Sequence, residues 1–168
     1  AQALDVTLAR NALADLIDRL TTRLGDGAIR RLIPRDSHLP EQAQLALPVA
    51  QARAPVPWPT PPQGEPPLRP LFLFDPPQSV EVVAEVPDGP PHRFRWRRKL
   101  HEVRLYEGPE RIAPEWWRHK GGEVAGKGAL TRDYYRVEDA RGRRYWLFRH
   151  GLYEEKAGPK WYVHGLFA

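Results

Sequence analysis

The spacing of apolar and polar positions changes period along the chain, and each change marks an element. Leu13, Leu16, Ile17, Leu20 and Leu24 recur at three- and four-residue intervals with Asp15, Asp18, Arg19 and Arg23 between them, the signature of a helix with one apolar stripe. Gly25 and Gly27 follow, where a left-handed backbone can end the helix. Ala28 to Ile33 is a short apolar run stopped by Pro34, expected as a strand or a further helical turn packed on that stripe. From Leu71 the period becomes two. Leu71 to Phe74 is a short strand ended by Asp75-Pro76-Pro77, Val80 to Val86 is a second strand, and Pro87 to Pro91 is a turn. His92 to Arg97 alternates, placing Phe94 and Trp96 on one face and Arg93, Arg95 and Arg97 on the other. Leu100 to Tyr106 is the next strand, with Val103 and Leu105 in step. Residues 108–118 read as a turn and a short helical piece, and Gly121, Gly122, Gly126 and Gly128 as a loop. Three aromatic runs close the chain: Asp133 to Glu138, Arg144 to Arg149 and Lys160 to Phe167, the first two joined by the tight turn Ala140-Arg141-Gly142.

Proline divides these patterns. Half of the positions between Pro55 and Pro70 are proline, a residue that fixes φ and donates nothing to a ladder, so this stretch is an extended linker. Trp58 within it is a candidate anchor for a partner groove. The expected organisation is a helix-strand unit at 1–50, a linker at 51–68 and an antiparallel β domain at 69–168. The fold class is α+β and mainly β, with about six strands forming a small barrel or sandwich.

With 41% hydrophobic and 28% charged residues in 168, the chain is globular. It has no cysteine, which excludes disulfides, thiolate metal sites and cysteine nucleophiles. The absence of methionine leads us to expect a piece of a longer polypeptide. No apolar run approaches the roughly 18 residues of a membrane helix. Charge is uneven: net zero over residues 1–50, minus three over 51–91 and plus eight over 92–168. The basic segment suits phosphate backbones or an acidic protein surface, so Arg93, Arg95, Arg97, Arg98 and Lys99 are candidate phosphate contacts, with Tyr134 or Trp146 stacking on bases of single-stranded DNA.

Catalytic chemistry finds no foothold. The six histidines form no metal-spacing pair, and no nucleophile elbow or phosphate loop is present. Glu154 and Glu155 with Asp133 or Glu115 read as solvated charges. We expect no catalytic residue, metal or cofactor.

Several long strings carry a resemblance. RPLFLFDPP at 69–77, GPERIAPEWWR at 108–118, TRDYYRVEDARGRRYWLFRHGLY at 131–153 and WYVHGLFA at 161–168, preceded by LADLIDRLTTRLG at 13–25 and RDSHLPEQA at 35–43, are similar to the C-terminal region of the ImuB family. ImuB proteins look like Y-family translesion polymerases without the catalytic carboxylates and act as mutasome adaptors. The resemblance implies a role in damage-induced mutagenesis in the bacterial cytoplasm, at the nucleoid. The implied partners are an ImuA-like protein, an error-prone C-family DNA polymerase and the sliding clamp, with the polymerase-like core before Ala1. Clamp binding in the family uses a QLxLF-like motif. Gln2-Ala3-Leu4-Asp5-Val6, just before the helix, and Gln44-Leu45-Ala46-Leu47-Pro48 come near it, both without the final aromatic. Two functions of different class follow: an interaction module, with Leu166 and Phe167 as exposed apolar anchors, or a single-stranded DNA-binding module on the basic aromatic sheet.

Overall fold

In a computed structural model, the described residues are all except 1, 52–56, 59, 61–68, 85, 87–88, 116, 118–129, 156–157 and 168, with side chains outside the description at 2–10. The chain divides into two compact units, 1–62 and 63–168, each described by itself.

In the first unit, helix α1 runs from Gln2 to Leu24. It begins well before the periodic stripe because residues 2–12 contain no glycine or proline and several good helix formers. Gly25, with φ of 92°, ends it, its N–H donating to the Thr21 carbonyl at 2.8 Å. Strand β1 (Arg30–Pro34) pairs antiparallel with β2 (Gln44–Pro48) in a two-stranded ribbon, Ile33 opposite Leu45. The apolar run at 28–33 is therefore largely strand, but it does not cover the helix. Leu13, Leu16, Leu20 and Leu24 stay exposed.

The second unit is a closed antiparallel barrel of six consecutive strands: β3 (Phe72–Ala84), β4 (Pro91–Trp96), β5 (Lys99–Ile112), β6 (Arg132–Asp139), β7 (Arg144–His150) and β8 (Lys160–Leu166). Closure between β3 and β8 leaves no free sheet edge in the barrel. Two expected breaks turn out to be strand interior. The Asp75–Pro77 segment does not end a strand: β3 passes through it with a cis Asp75–Pro76 bond. Its pairing with β8 jumps from Leu73↔Gly165 to Gln78↔Val163, so the prolines sit where the ladder is interrupted and no N–H is missed. Likewise β5 continues through Gly108–Pro109 to Ile112 across a bulge, in place of the expected turn, and the expected helical piece falls partly on residues outside the description. A second bulge between Val103 and Leu105 breaks their alternation, leaving Val103 half-buried against the core and Leu105 exposed.

Side chains fill the barrel. Val80, Phe94, Tyr135, Val137, Tyr145, Leu147, Trp161 and Val163 form its core. Outside β6, β7 and β8 lies a second buried layer of Tyr134, Trp146, Phe148 and His164. Trp146 stacks on Tyr134 at 4.2 Å and on His164 at 5.6 Å, and the Tyr134 hydroxyl is 2.8 Å from His164 Nδ1. The Arg69 guanidinium lies over Trp146 at 5.8 Å. A Cβ at Gly165 would meet Pro70 Cγ at 2.5 Å and the Phe72 carbonyl oxygen at 2.7 Å, so only glycine lets this strap approach. The wall of β3, β4 and β5 has no such cover: Val83, Arg93, Arg95, Leu100 and Glu102 are exposed on its outer face.

Candidate functional site

The barrel has one hairpin end, where β4 turns into β5, β6 turns into β7, and the start of β3 meets the end of β8. Arg97 and Arg98 make the first turn between the paired Trp96 and Lys99, with φ of 48° and 64°. Two positive φ values define the twist-matched two-residue hairpin turn that Asn-Gly fills most easily, so arginines here are conformationally expensive. Arg97 is held in place. Its guanidinium lies over Trp96 at 4.6 Å and Phe74 at 5.8 Å, and its Nε donates to Gln78 Oε1 at 3.3 Å. Trp96 Nε1 donates to the same oxygen at 2.9 Å. Arg98 and Lys99 are exposed.

The second tip is built on Asp139. Its Oδ1 accepts the backbone N–H groups of Arg141 at 2.9 Å and Arg143 at 3.1 Å, and Gly142 takes φ of 74° to close the turn. Its Oδ2 accepts from Arg143 Nη2 at 2.7 Å and from His101 Nδ1 at 3.0 Å. The same His101 Nδ1 is also 3.3 Å from Arg143 Nη2 and 3.2 Å from the Tyr145 hydroxyl. Burial pushes the Asp139 carboxyl up, but hydrogen bonds from His101, Arg143 and the turn backbone outweigh it and hold the group well below its ordinary value. His101 Nε2 is buried in the barrel, and its ring stacks on Phe94 at 4.7 Å. The Asp139–His101 pair fastens the hairpin to β5. The Ala140 N–H donates to the Glu102 carbonyl at 3.1 Å, which ties the second tip to β5. A cleft of about 190 Å³ between them is lined by Leu100, His101, Glu102, Asp139, Arg141 and Arg143.

At the opposite end Asp133 is fully buried between two arginines. Arg111 donates to it through Nε at 2.7 Å and Nη2 at 3.0 Å, and the buried Arg149 through Nη2 at 2.8 Å. Burial raises the Asp133 carboxyl, and the two guanidinium bonds more than reverse this, leaving it lowered. Glu155 accepts from the Thr131 hydroxyl at 2.6 Å and from the Thr131 and Leu152 N–H groups, both at 3.1 Å, and is also lowered. All three groups bind protons more weakly when folded than unfolded. The unfolded chain therefore takes up protons first as pH falls below about 4.5, the ordinary Glu155 value, and stability falls with it. The urea midpoint should hold between pH 7 and 5 and drop progressively below; a midpoint that rises toward pH 3 contradicts this. Among the described residues no group of three or more His, Asp or Glu side chains could hold a metal ion.

The expected site residues scatter. Arg93 and Arg95 lie on the exposed outer wall opposite Glu102 and Leu100, with Arg95 Nε 3.7 Å from Glu81. Arg97, Arg98 and Lys99 leave that wall for the turn. Tyr134 and Trp146, each 1% exposed, belong to the second buried layer and present no ring for base stacking, which corrects that expectation. The covering strap was not legible in the strand pattern. Leu166 and Phe167 are half-buried rather than exposed; Leu166 packs against the core opposite Phe72 and Tyr145. Trp58 is exposed, and so is Trp117. Gln44, Leu45 and Leu47 are strand residues of the ribbon, the first two exposed. Gln2 and Leu4 fall inside α1, not before it. The glycine loop and Trp116 lie outside the described residues. Arg141, Arg143 and Arg144 were missed as site residues, although a basic tight turn was their signal.

No family model matches the chain, and no solved structure matches it. The protein ImuB from Caulobacter vibrioides strain NA1000 / CB15N is 46% identical over 176 residues, covering 99% of this chain. This chain is similar throughout to the C-terminal part of ImuB. ImuB from strain ATCC 19089 / CIP 103742 / CB 15 gives the same 46% over the same extent. The chain spans 36% of the length of these ImuB proteins, so the expected resemblance is met along the whole chain and touches only one part of the relatives.

Proposed function

We propose that this chain is the non-catalytic adaptor region of a translesion-synthesis protein, recruiting an ImuA-like protein and an error-prone C-family DNA polymerase during damage-induced mutagenesis. The similarity to ImuB over 99% of the chain carries this reading. The geometry supports it in two ways. A hydrophobic cluster forms the barrel core, and Asp139 and Asp133 bond to groups that hold a hairpin and a strand end. The uncovered wall of β3 to β5 offers exposed Val83, Leu100 and Leu105 beside Arg93 and Arg95, the mixture of apolar and arginine side chains that protein interfaces favour. Sliding-clamp contact falls to segments elsewhere in the polypeptide or to Gln44, Leu45 and Leu47. No described helix is long and apolar enough to cross a membrane, and the proposed place of action is the bacterial cytoplasm at the nucleoid. Separate immobilisation of residues 1–50, residues 69–168 and the whole chain, each offered the polymerase, the ImuA-like protein and the clamp, tests the reading. It requires capture of the polymerase or the ImuA-like protein by 69–168 and by the whole chain; failure of the whole chain to retain either defeats it.

A further inference from the structure

We infer that the hairpin end of the barrel binds the backbone of single-stranded DNA. Arg97, Arg98 and Lys99 from one tip and Arg141, Arg143 and Arg144 from the next are all exposed there. Among the described residues no ion pair involves Arg97, Arg98, Lys99 or Arg141, so four cations stand uncompensated beside each other. Glu102 is exposed near the same cleft, 3.7 Å from Arg104, and Asp139 is buried and bound to Arg143, so the acids present leave the cluster basic. The bond from Ala140 to the Glu102 carbonyl fixes the second tip against β5, four residues along the chain from Arg98.

Turn geometry independently points the same way. Strained backbone is retained where the surrounding structure and the function demand it, and both central turn positions hold arginine with positive φ where Asn-Gly would be relaxed. What arginines add at a turn tip is charge and a flat guanidinium. The Arg97 guanidinium lies over Trp96, the Trp96 and Phe74 rings are 5.7 Å apart, and Phe72, 56% exposed, meets Phe74 at 5.1 Å. This ribbon supplies planar faces beside the cations. A single strand offers both phosphates and unstacked bases to such a surface, whereas a duplex hides its bases.

The test is fluorescence anisotropy of the whole chain with a labelled oligothymidine of about 12 nucleotides, a length within the usual site size. With four phosphates neutralised, affinity should fall about 50-fold between 50 and 200 mM salt, a log–log slope of about −3. The double variant Arg97→Asn with Arg98→Gly installs the relaxed turn pair, so it should melt about 5 °C higher while its salt slope halves to about −1.4. Arg141→Ser, on the other tip, should lower the slope by about 0.7 with melting unchanged. Salt-independent binding, a double variant that keeps the parent slope, duplex bound more tightly than the single strand, or polyglutamate competing as well as the oligonucleotide would each overturn the assignment. Capture of the polymerase by the double variant should persist, which separates a failure here from a failure of the adaptor reading.

Discussion

Asp133→Ala should lower barrel stability by about 3–5 kcal/mol, a large part of the 5–15 kcal/mol typical of a domain. Arg149 is 2% exposed and donates to Asp133, which is fully buried. Removing the carboxylate takes an acceptor and a negative charge from beside a guanidinium buried inside the barrel end, so the desolvation of that guanidinium is less well offset. Arg111 makes two bonds to the same carboxylate but its side chain is 56% exposed, so Arg111→Ala should cost only about 1 kcal/mol. Urea unfolding of the two variants measures the contrast. Equal losses would mean that charge count, and not burial, sets the energetics of this cluster.

Trp146→Ala should cost about 3–5 kcal/mol, as much as a central core deletion, although Trp146 lies outside the barrel wall. Its ring is fixed between Tyr134 and His164 and covered by Arg69, so truncation opens a cavity that stacked aromatic neighbours cannot collapse into. Thermal melting of this variant distinguishes a true second core from a loose surface cluster. A shift smaller than that of an exposed substitution such as Leu105→Ala would show the outer layer to be weakly packed.

The carboxyl-terminal strands were legible because their signals are local. Tyr134 to Val137, Tyr145 to Phe148 and Trp161 to Val163 combine aromatic and branched residues over short spans, and Gly142 closes the turn between the first two. Pro76 and Pro109 misled because a proline ends a strand only where its missing N–H is needed, and both sit where the ladders shift register. That circumstance depends on the partner strand, which one local run does not reveal. β2 was missed for a similar reason: Gln44 to Pro48 is short and is a strand only through its pairing with β1. The candidate site was half legible. The charge of Arg97, Arg98 and Lys99 was visible, but their union with Arg141, Arg143 and Arg144 depends on a contact between residues about forty positions apart. The burial of Tyr134 and Trp146 depends on a strap from before the barrel, which strand alternation does not encode.

The docking role is tested most directly by calorimetric titration of the whole chain with the error-prone C-family polymerase at about 0.5 M salt, where surface electrostatics are largely screened. The uncovered β3–β5 wall predicts saturable binding that survives this salt and weakens at least tenfold in Leu100→Asp with Leu105→Asp, two exposed side chains of β5 whose replacement leaves the melting temperature unchanged. Absence of heat with the parent chain, or undiminished affinity in the folded double variant, would contradict it.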